Sequence, residues 1–232
     1  MHLFYNPHIQ GDSFELEEQE SKHAIRVLRL VRGDRVIMVD GKGGWYEAVI
    51  IDDHPKRCRL HVESHTPGYH PLPYSLHLAV APTKNLDRFE WFLEKATEIG
   101  ITEITPLICV RSERKQVKTE RLERILVSAM KQSQKAFKPI LHNPVSMEEF
   151  MKRNRQGTLG IAHCYPLEQR GISELELSEK YTLMVGPEGD FTEEEVSEAL
   201  EAGYVPFHLG DSRLRTETAA LYITAAISLL HL

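Results

Sequence analysis

A carboxylate in a loop rich in glycine and proline is the clearest chemical feature of the sequence. Residues 185–191 read Val-Gly-Pro-Glu-Gly-Asp-Phe and end a segment of strand type. Gly186 and Gly189 let the backbone approach a ligand closely, and Pro187 stiffens the loop. Glu188 is therefore a candidate functional carboxylate. The alternative is a plain turn before the next helix.

A second constellation places cations just before a helix. Arg213 and Arg215 precede Thr216 and Glu217. A hydroxyl cap and an acidic first turn account for Thr216 and Glu217 as an ordinary helix N-terminus. They do not account for the arginines, because a cation at this end of a helix is disfavoured unless an anion or a partner is present. The pattern favours an anion or a partner at this position.

The charge is unevenly distributed, although 28 basic residues against 34 acidic ones give a net charge of −6. Residues 22–35 carry five Lys or Arg against one Asp, and residues 111–138 carry nine against three Glu. Residues 186–201 carry seven acids and no base. This asymmetry indicates a basic face for an anionic partner, and the alternative is patchy charge on helix surfaces.

The sequence disfavours a disulfide framework, a metal site, a membrane span and a signal peptide. The three cysteines lie far apart, which excludes a disulfide framework and a Cys-x-x-Cys motif. His61 and His65 are close in sequence, but an extended strand separates them by about 13 Å, so we expect no metal site. No apolar run approaches the roughly 20 residues of a membrane span, and the N-terminus lacks a signal-peptide pattern. We expect a cytoplasmic protein with no membrane partner.

The first 70 residues have the texture of a small β domain. Segments rich in Val, Ile and aromatic residues recur at 35–39, 45–51 and 59–65. The glycines of 40–44 predict a hairpin turn rather than a phosphate loop, because no helix follows them. Three prolines and a glycine in 66–73 predict a domain boundary. We therefore expect domains at 1–70 and 74–232.

From residue 74 onward, strand and helix patterns alternate. Strand patterns lie at 75–81, 101–110, 158–163, 181–185 and 205–209, and helix patterns begin after 85, 118, 146, 192 and 215. Such alternation predicts an α/β domain with a mainly parallel sheet and helices on both faces. Ligands of such sheets bind beyond the carboxyl ends of the strands. The loops after Ala81, His163, Val185 and Leu209 are therefore the candidates.

These motifs resemble those of a known enzyme family. Gly-Pro-Glu-Gly at 186–189, Leu-Gly at 209–210 and Leu-Arg-Thr-Glu-Thr-Ala at 214–219 are similar to the signature motifs of 16S ribosomal RNA methyltransferases that act on N3 of a uridine. These enzymes belong to the knotted, S-adenosylmethionine-dependent SPOUT class. The resemblance extends to 23–29, to 84–106 and to further positions: Arg111, Ser112, Gln132, Ser133 and Pro139.

The resemblance implies a fold and partners. The C-terminal domain would be a SPOUT-like parallel sheet with a trefoil knot, and the N-terminal domain a small PUA-like β-barrel that binds RNA. S-adenosylmethionine would be the cofactor, and 16S rRNA of the small ribosomal subunit the substrate. Members of the class are homodimers, so a homodimer is expected.

The resemblance also implies residue roles. Arg215 would stabilise negative charge that develops on the pyrimidine, and Glu188 or Glu217 would accept the N3 proton or orient a water. The alternative is that both glutamates tie loops through backbone N–H groups. Residues implied in cofactor binding are His163, Gly186, Pro187, Glu188, Gly189, Leu209, Gly210, Leu214, Arg215, Thr216, Thr218 and Ala219. Residues implied in RNA binding are His23, Arg26, Arg29, Lys84, Arg88, Lys95, Arg111 and Arg114.

Four positions depart from the family pattern. Asp190 stands where a second glycine is usual, and Lys135 where arginine is usual. Ser212 and Arg213 replace a commoner Arg-Ile or Arg-Val pair. Two other readings follow: a knotted methyltransferase that acts on another RNA base, and a non-catalytic RNA-binding factor of ribosome assembly.

Overall fold

The computed structural model describes residues 2–153 and 156–232. The chain divides into two compact units. The first comprises Met1–Pro71 together with Met130–Lys138, and the second comprises Leu72–Ala129 and Pro139–Leu232. Among the described residues, no helix combines the length and the apolarity needed to cross a bilayer.

A five-stranded mixed sheet forms the first unit. Its strands are β1 (Leu3–Tyr5), β2 (Ser13–Glu15), β3 (Arg35–Val39), β4 (Trp45–Asp52) and β5 (Arg59–Thr66). They lie in the order β1-β3-β4-β5-β2, and only β1 and β3 pair in parallel. Val36, Met38, Ile50 and Leu60 are buried in one apolar core of this unit.

The predicted hairpin joins β3 to β4, and one side chain organises its turn. Asp40 Oδ1 accepts hydrogen bonds from the backbone N–H groups of Lys42 at 2.7 Å and Gly44 at 2.9 Å. Gly41 and Gly43 have φ values of 73° and 100°, which glycine adopts without steric cost. The glycines therefore serve the turn, as predicted.

The segment Met130–Lys138 belongs to the first unit because it completes a second apolar cluster there. Met130 and Ala136 pack with Ile37 and Trp45. Ile37 lies on the opposite face of β3 from Met38, since successive strand side chains alternate. The domains expected at 1–70 and 74–232 assigned residues 130–138 to the second domain, because no change in composition marks this segment.

The second unit carries the alternating elements. Its strands are β6 (Ser75–Val80), β7 (Glu103–Ile108), β8 (Ile140–Leu141), β9 (Val145–Ser146), β10 (Thr158–Ala162), β11 (Arg170–Gly171), β12 (Lys180–Val185) and β13 (Val205–His208). The α-helices, numbered along the whole chain, are α1 (Glu18–Lys22), α2 (Leu86–Ile99), α3 (Thr119–Gln132), α4 (Met147–Met151), α5 (Glu193–Glu201) and α6 (Thr216–Leu230). A π-helix (His23–Val27) follows α1, and a 3-10 helix (Ile172–Glu174) follows β11.

The sheet of the second unit is parallel throughout. Its order is β11-β13-β10-β12-β6-β7-β8, and β9 pairs with β7. The expected mainly parallel α/β architecture is therefore confirmed. The trefoil knot stays a prediction.

Both faces of this sheet are buried, which explains the nearly continuous apolar sequence of β6. Leu76, Leu78 and Val80 pack against one core with residues of α2 and α6, whereas Ala79 packs on the opposite core with residues of α4 and α5. Leu183 and Met184 of β12 divide in the same way. Two buried faces leave the strand ends as the place for polar chemistry.

Local capping fixes the start of the helices that follow the strands. Asn85 Oδ1 accepts the backbone N–H of Asp87 at 3.1 Å at the start of α2. Thr192 and Glu195 form a reciprocal capping box at the start of α5. Glu195 Oε1 also accepts the N–H of Val110 at 2.8 Å, which ties this helix to the segment after β7. Both caps match the sequence prediction.

Candidate functional site

A cleft of about 800 Å³ opens at the carboxyl ends of β10, β12 and β13. We call it the carboxyl-end cleft. Its walls are the segments after these three strands together with the first turn of α6. Most residues predicted to bind the cofactor line it: His163, Gly186, Pro187, Glu188, Gly189, Leu209, Gly210, Leu214, Arg215, Thr216 and Ala219. The cleft thus gathers loops that are far apart in sequence.

Thr218 and Glu217 do not belong to the lining of the cleft. Thr218 is exposed on α6. Glu217 is buried, and its Oε1 lies 3.9 Å from Nε of Arg88. The structure therefore pairs a predicted catalytic carboxylate with a predicted RNA-binding cation.

The first wall is the 186–191 loop, which packs tightly on α6. The hydroxyl of Thr216 donates to the carbonyl oxygen of Gly186 at 3.0 Å. A Cβ atom at Gly186 would lie 3.0 Å from two ring carbons of Phe191, so a side chain there would force the buried ring to move. This packing explains the glycine at 186.

Glu188 is held by a backbone group from another loop. Its side chain is exposed, and Oε1 accepts the N–H of Lys84 at 2.9 Å. Lys84 in turn extends its ammonium group to Glu113 at 2.8 Å. The bond between the N–H of Lys84 and Glu188 is the loop-tying role that was the alternative for Glu188. It also positions the carboxylate at the edge of the carboxyl-end cleft.

Asp190 joins two walls of the cleft. Its φ is 63°, in the left-handed region that Asp tolerates better than most residues. Oδ2 accepts the N–H of Cys164 at 2.9 Å, and Oδ1 accepts the N–H of Phe191 at 2.8 Å. A glycine would suit this positive φ as well. The carboxylate adds a tie that glycine could not make.

Arg111 connects the same two loops through hydrogen bonds. Its Nη1 lies 3.0 Å from the carbonyl oxygens of both Gly189 and Phe191, and 3.1 Å from the hydroxyl of Tyr165. The hydroxyl of Tyr165 also donates to the carbonyl of Phe191 at 2.9 Å. Arg111, predicted to bind RNA, is thus engaged in supporting the cleft.

His163 is buried at the wall that follows β10, with 5% of its surface exposed. Its Nδ1 accepts from the N–H of Tyr165 at 3.2 Å and from Nε2 of Gln169 at 3.3 Å, which places the ring proton on Nε2. Burial lowers the pKa of His163, and the nearby Asp190 opposes that shift. Within the described residues Nε2 has no hydrogen-bond partner. The imidazole is therefore a neutral, buried donor.

The second cation cluster lies at the start of α6. Arg215 is the N-cap residue of α6 and makes no capping hydrogen bond with its side chain. Arg213 and Arg215 are both exposed and line the cleft. Their charges and the positive end of the helix dipole reinforce each other there. This corner of the cleft favours an anionic or electron-rich group.

The predicted RNA-binding residues fall into two groups. His23 and Arg26 on the π-helix, and Arg29 just after it, are exposed in the first unit. In the second unit, Lys95 pairs with Glu94 and Glu98, and Arg114 donates to the carbonyls of Thr83 and Lys84, while Lys84, Arg88 and Arg111 have the partners given above. The first group is thus the more accessible to an added anion.

Sequence reasoning did not assign the supporting roles of Asp190, Arg111 and Gln169. Asp190 carried a signal, because an aspartate at a usual glycine position indicates a positive φ. Arg111 carried none, since its partners depend on how the 186–191 loop and the loop after β10 meet in space. Gln169 carried none either, although its partners His163 and Tyr165 lie six and four positions away in the same loop.

Comparisons with known proteins agree with the geometry. Residues 70–228 match the family described as RNA methyltransferase domain, and residues 16–63 match the RNA methyltransferase PUA domain. Ribosomal RNA small subunit methyltransferase E of Rickettsia conorii is 30% identical over 231 residues, covering 95% of this chain and 91% of that protein.

Two solved structures resemble the chain along its whole length. One is from Porphyromonas gingivalis, named a probable rRNA-methyltransferase, with 37% identity, a TM-score of 0.94 and coverage of 100% of this chain and 98% of that one. The other is ribosomal RNA small subunit methyltransferase E of Neisseria gonorrhoeae bound to S-adenosyl methionine, with 28% identity, a TM-score of 0.89 and coverage of 99% and 98%.

Proposed function

The chain belongs to the RNA methyltransferase family, and from this premise we propose that it methylates N3 of a uridine in 16S rRNA of the small ribosomal subunit, with S-adenosylmethionine as the methyl donor. The observation that carries the proposal is the carboxyl-end cleft. It is formed by the same loops that carry the family motifs, in a chain that covers nearly all of a relative bound to this donor.

The residues of the cleft fit such a donor. A volume of about 800 Å³ lies within the usual range of roughly 300–1,000 Å³ for small-molecule sites. A Cβ at Gly210 would meet no atom within 4 Å, so the backbone there is open to a ligand. The buried Nε2 of His163 has no partner among the described residues, and the loop backbones offer further polar groups. A nucleoside with a polar tail suits this surface.

The chemistry explains what the remaining residues must do. When bound, S-adenosylmethionine supplies an electrophilic methyl group on a sulfonium. Uridine N3 is a weak acid and becomes nucleophilic only as its proton leaves. The chain must therefore align N3 with the methyl group, and this alignment lowers the activation free energy by several kcal/mol. It must also stabilise negative charge on the pyrimidine oxygens.

We assign charge stabilisation to Arg215 and proton acceptance, or orientation of a water, to Glu188. Arg215 is exposed in the cleft at the positive end of α6. Glu188 lines the cleft, and its Oε1 accepts the N–H of Lys84. Its Oε2 is then the oxygen that can accept a proton or orient a water. Glu217 lies outside the lining and faces Arg88, which favours a positioning role for it.

RNA binding is assigned first to His23, Arg26 and Arg29. They are exposed, and they fall inside the stretch that matches the PUA domain family. Contacts of this type with phosphates fix the register of the RNA and weaken as salt rises. Because N3 lies on the Watson–Crick edge, a paired uridine must leave its helix before it can react.

We further infer a cytoplasmic homodimer with a knotted C-terminal domain. The proposed ribosomal substrate supports a cytoplasmic location. Tyr222, Leu229 and Leu230 are exposed apolar residues of α6, a surface suited to a second copy of the chain. Light scattering of the purified protein measures the oligomeric state, and a monomer at all concentrations would remove this part of the proposal.

The proposal is tested by combining donor binding with methyl transfer. Calorimetry measures S-adenosylmethionine binding, and labelled donor measures transfer to small subunits and to naked 16S RNA from cells that lack the protein. We expect binding and transfer to one of the two substrates. Binding without transfer to either would move the target to another RNA. The absence of both would favour a non-catalytic RNA-binding factor.

A further inference from the structure

Three side chains with metal-binding atoms meet on adjacent strands of the second unit, away from the carboxyl-end cleft. His77 in β6 lies directly opposite Glu103, the first residue of β7, in the register of the parallel pair. His142 follows β8, and its backbone N–H donates to the carbonyl of Ile104 at 2.8 Å. The sheet therefore brings together residues that are up to 65 positions apart in sequence.

The distances within this cluster are short. Nε2 of His142 lies 2.8 Å from Oε2 of Glu103, and Nδ1 of His77 lies 3.6 Å from the same oxygen. One ligating atom from each residue falls within 4.8 Å of the others. A cation placed between them would need only small side-chain movements to reach bonding distances of about 2.0–2.2 Å.

We propose that His77, Glu103 and His142 form a binding site for a divalent transition-metal cation, with Zn²⁺ the best match. Two imidazoles and one carboxylate are a donor set that Zn²⁺ accepts, with a water as the fourth ligand. A histidine ligand usually has its other ring nitrogen bonded to an outer partner. Nε2 of His77 has such a partner, the hydroxyl of Thr105 at 2.7 Å.

The environment combines a rigid base with an accessible rim. The side chain of His77 is only 3% exposed, and its ring packs edge-on against Phe150. The side chains of Glu103 and His142 are each 29% exposed. A buried imidazole fixes one ligand direction, and the two outer ligands leave room for the cation to enter and for a water to complete the coordination.

The position of the site indicates a stabilising role rather than a part in methyl transfer. His77 lies three residues before the end of β6, or about 10 Å along the strand. The strand β8 has only two residues and is the outermost in the sheet order. A cation bound by residues on β6, on β7 and just after β8 would link this short edge strand to β6 and β7.

The test measures Zn²⁺ binding to the tag-free, metal-stripped full chain by calorimetry and elemental analysis. We expect one Zn²⁺ per chain and a higher Tm with the metal. Glu103→Gln and His142→Asn should abolish both effects, and both positions are exposed enough to keep the fold. Thr105→Val should weaken binding about 10–100-fold. The control His61→Ala/His65→Ala removes two histidines outside the cluster and should bind as the wild type does.

Co²⁺ gives an independent readout on the wild-type chain alone, because its visible absorption reports nitrogen and oxygen coordination. Wild-type protein that shows neither saturable Zn²⁺ binding nor a Co²⁺ spectrum would overturn the proposal. Zn²⁺ binding that survives in both Glu103→Gln and His142→Asn would overturn it as well. The cluster would then be only a hydrogen-bonded network.

Discussion

Oδ2 of Asp190 accepts the backbone N–H of Cys164 at 2.9 Å, and this bond joins the loop after β10 to the loop after β12. These loops are two walls of the carboxyl-end cleft. Asp190 therefore adopts a positive φ, as glycine would, and adds a cross-loop bond. We infer that this bond holds the cleft in the shape that binds the donor.

Asp190→Gly removes this bond, together with the bond from the N–H of Phe191 to Oδ1, and keeps the backbone conformation, because glycine adopts a φ near 63° freely. Hydrogen bonds to charged groups contribute about 1.5–3 kcal/mol, so we expect the Kd for S-adenosylmethionine to rise by about 10- to 150-fold. Calorimetry measures the change. Asp190→Asn keeps an oxygen acceptor and should lose less. A glycine variant with the wild-type Kd would show that the bond does not shape the cleft.

Arg215→Ala should keep the fold and lose methyl transfer. Since the side chain caps no backbone group, the free energy of unfolding should stay close to that of the wild type. Removing one donor from a developing oxyanion lowers turnover about 10²–10³-fold. The matched control is Arg213→Ala, which removes a neighbouring exposed arginine of the same cleft. Full turnover by a folded Arg215 variant would exclude this residue from the mechanism.

Arg29→Gly should weaken RNA binding and leave donor binding unchanged. Arg29 has a φ of 58°, a region that glycine adopts freely, so glycine removes the charge without imposing strain. Filter binding at several salt concentrations measures the effect. We expect the slope of log affinity against log salt to fall by about 1. Arg57→Ala, outside the predicted set, is the control, and equal losses in both variants would contradict a specific role.

The lowered pKa of His163 predicts a pH-dependent stability. Its pKa in the folded chain lies below the ordinary value of 6.5, because burial disfavours the charged ring. The unfolded chain therefore takes up the proton first as the pH falls below 6.5. The stability due to neutral His163 is present above that pH, and it is lost as the pH falls through the pKa of His163 in the folded chain.

His163→Asn isolates this contribution, since Asn keeps an acceptor for the N–H of Tyr165 but does not titrate. Urea unfolding at about pH 7.5 and about pH 5.5 gives the free energy of unfolding of both proteins. We expect the wild type to lose more stability than the variant between these values. Equal losses would mean that His163 is not held neutral by the fold.

Local signals in the sequence sufficed for most of the architecture. The caps at Asn85 and Thr192 depend on residues two or three positions away, and both are as predicted. The alternation of strand and helix predicted the parallel sheet for the same reason. Periodicity and capping act within a few residues, so a sequence displays them directly.

The supporting contacts of the site could not be predicted in this way. Glu188 receives the N–H of Lys84 across 104 positions, and Arg111 reaches Gly189 across 78. Such partners depend on strand order, which periodicity does not determine. The family resemblance predicted a cofactor site in these loops, and the loops line one cleft. The resemblance did not distinguish residues that line the cleft from residues that support it.

The measurement that tests the central claim most directly identifies the methylated nucleoside. Small subunits and naked 16S RNA from cells lacking the protein are incubated with the enzyme and labelled donor, digested to nucleosides and analysed by mass spectrometry. We predict 3-methyluridine, which would establish the reaction, the base and the atom together. Transfer that yields a different methylated nucleoside, with no 3-methyluridine, would contradict the assignment of uridine N3.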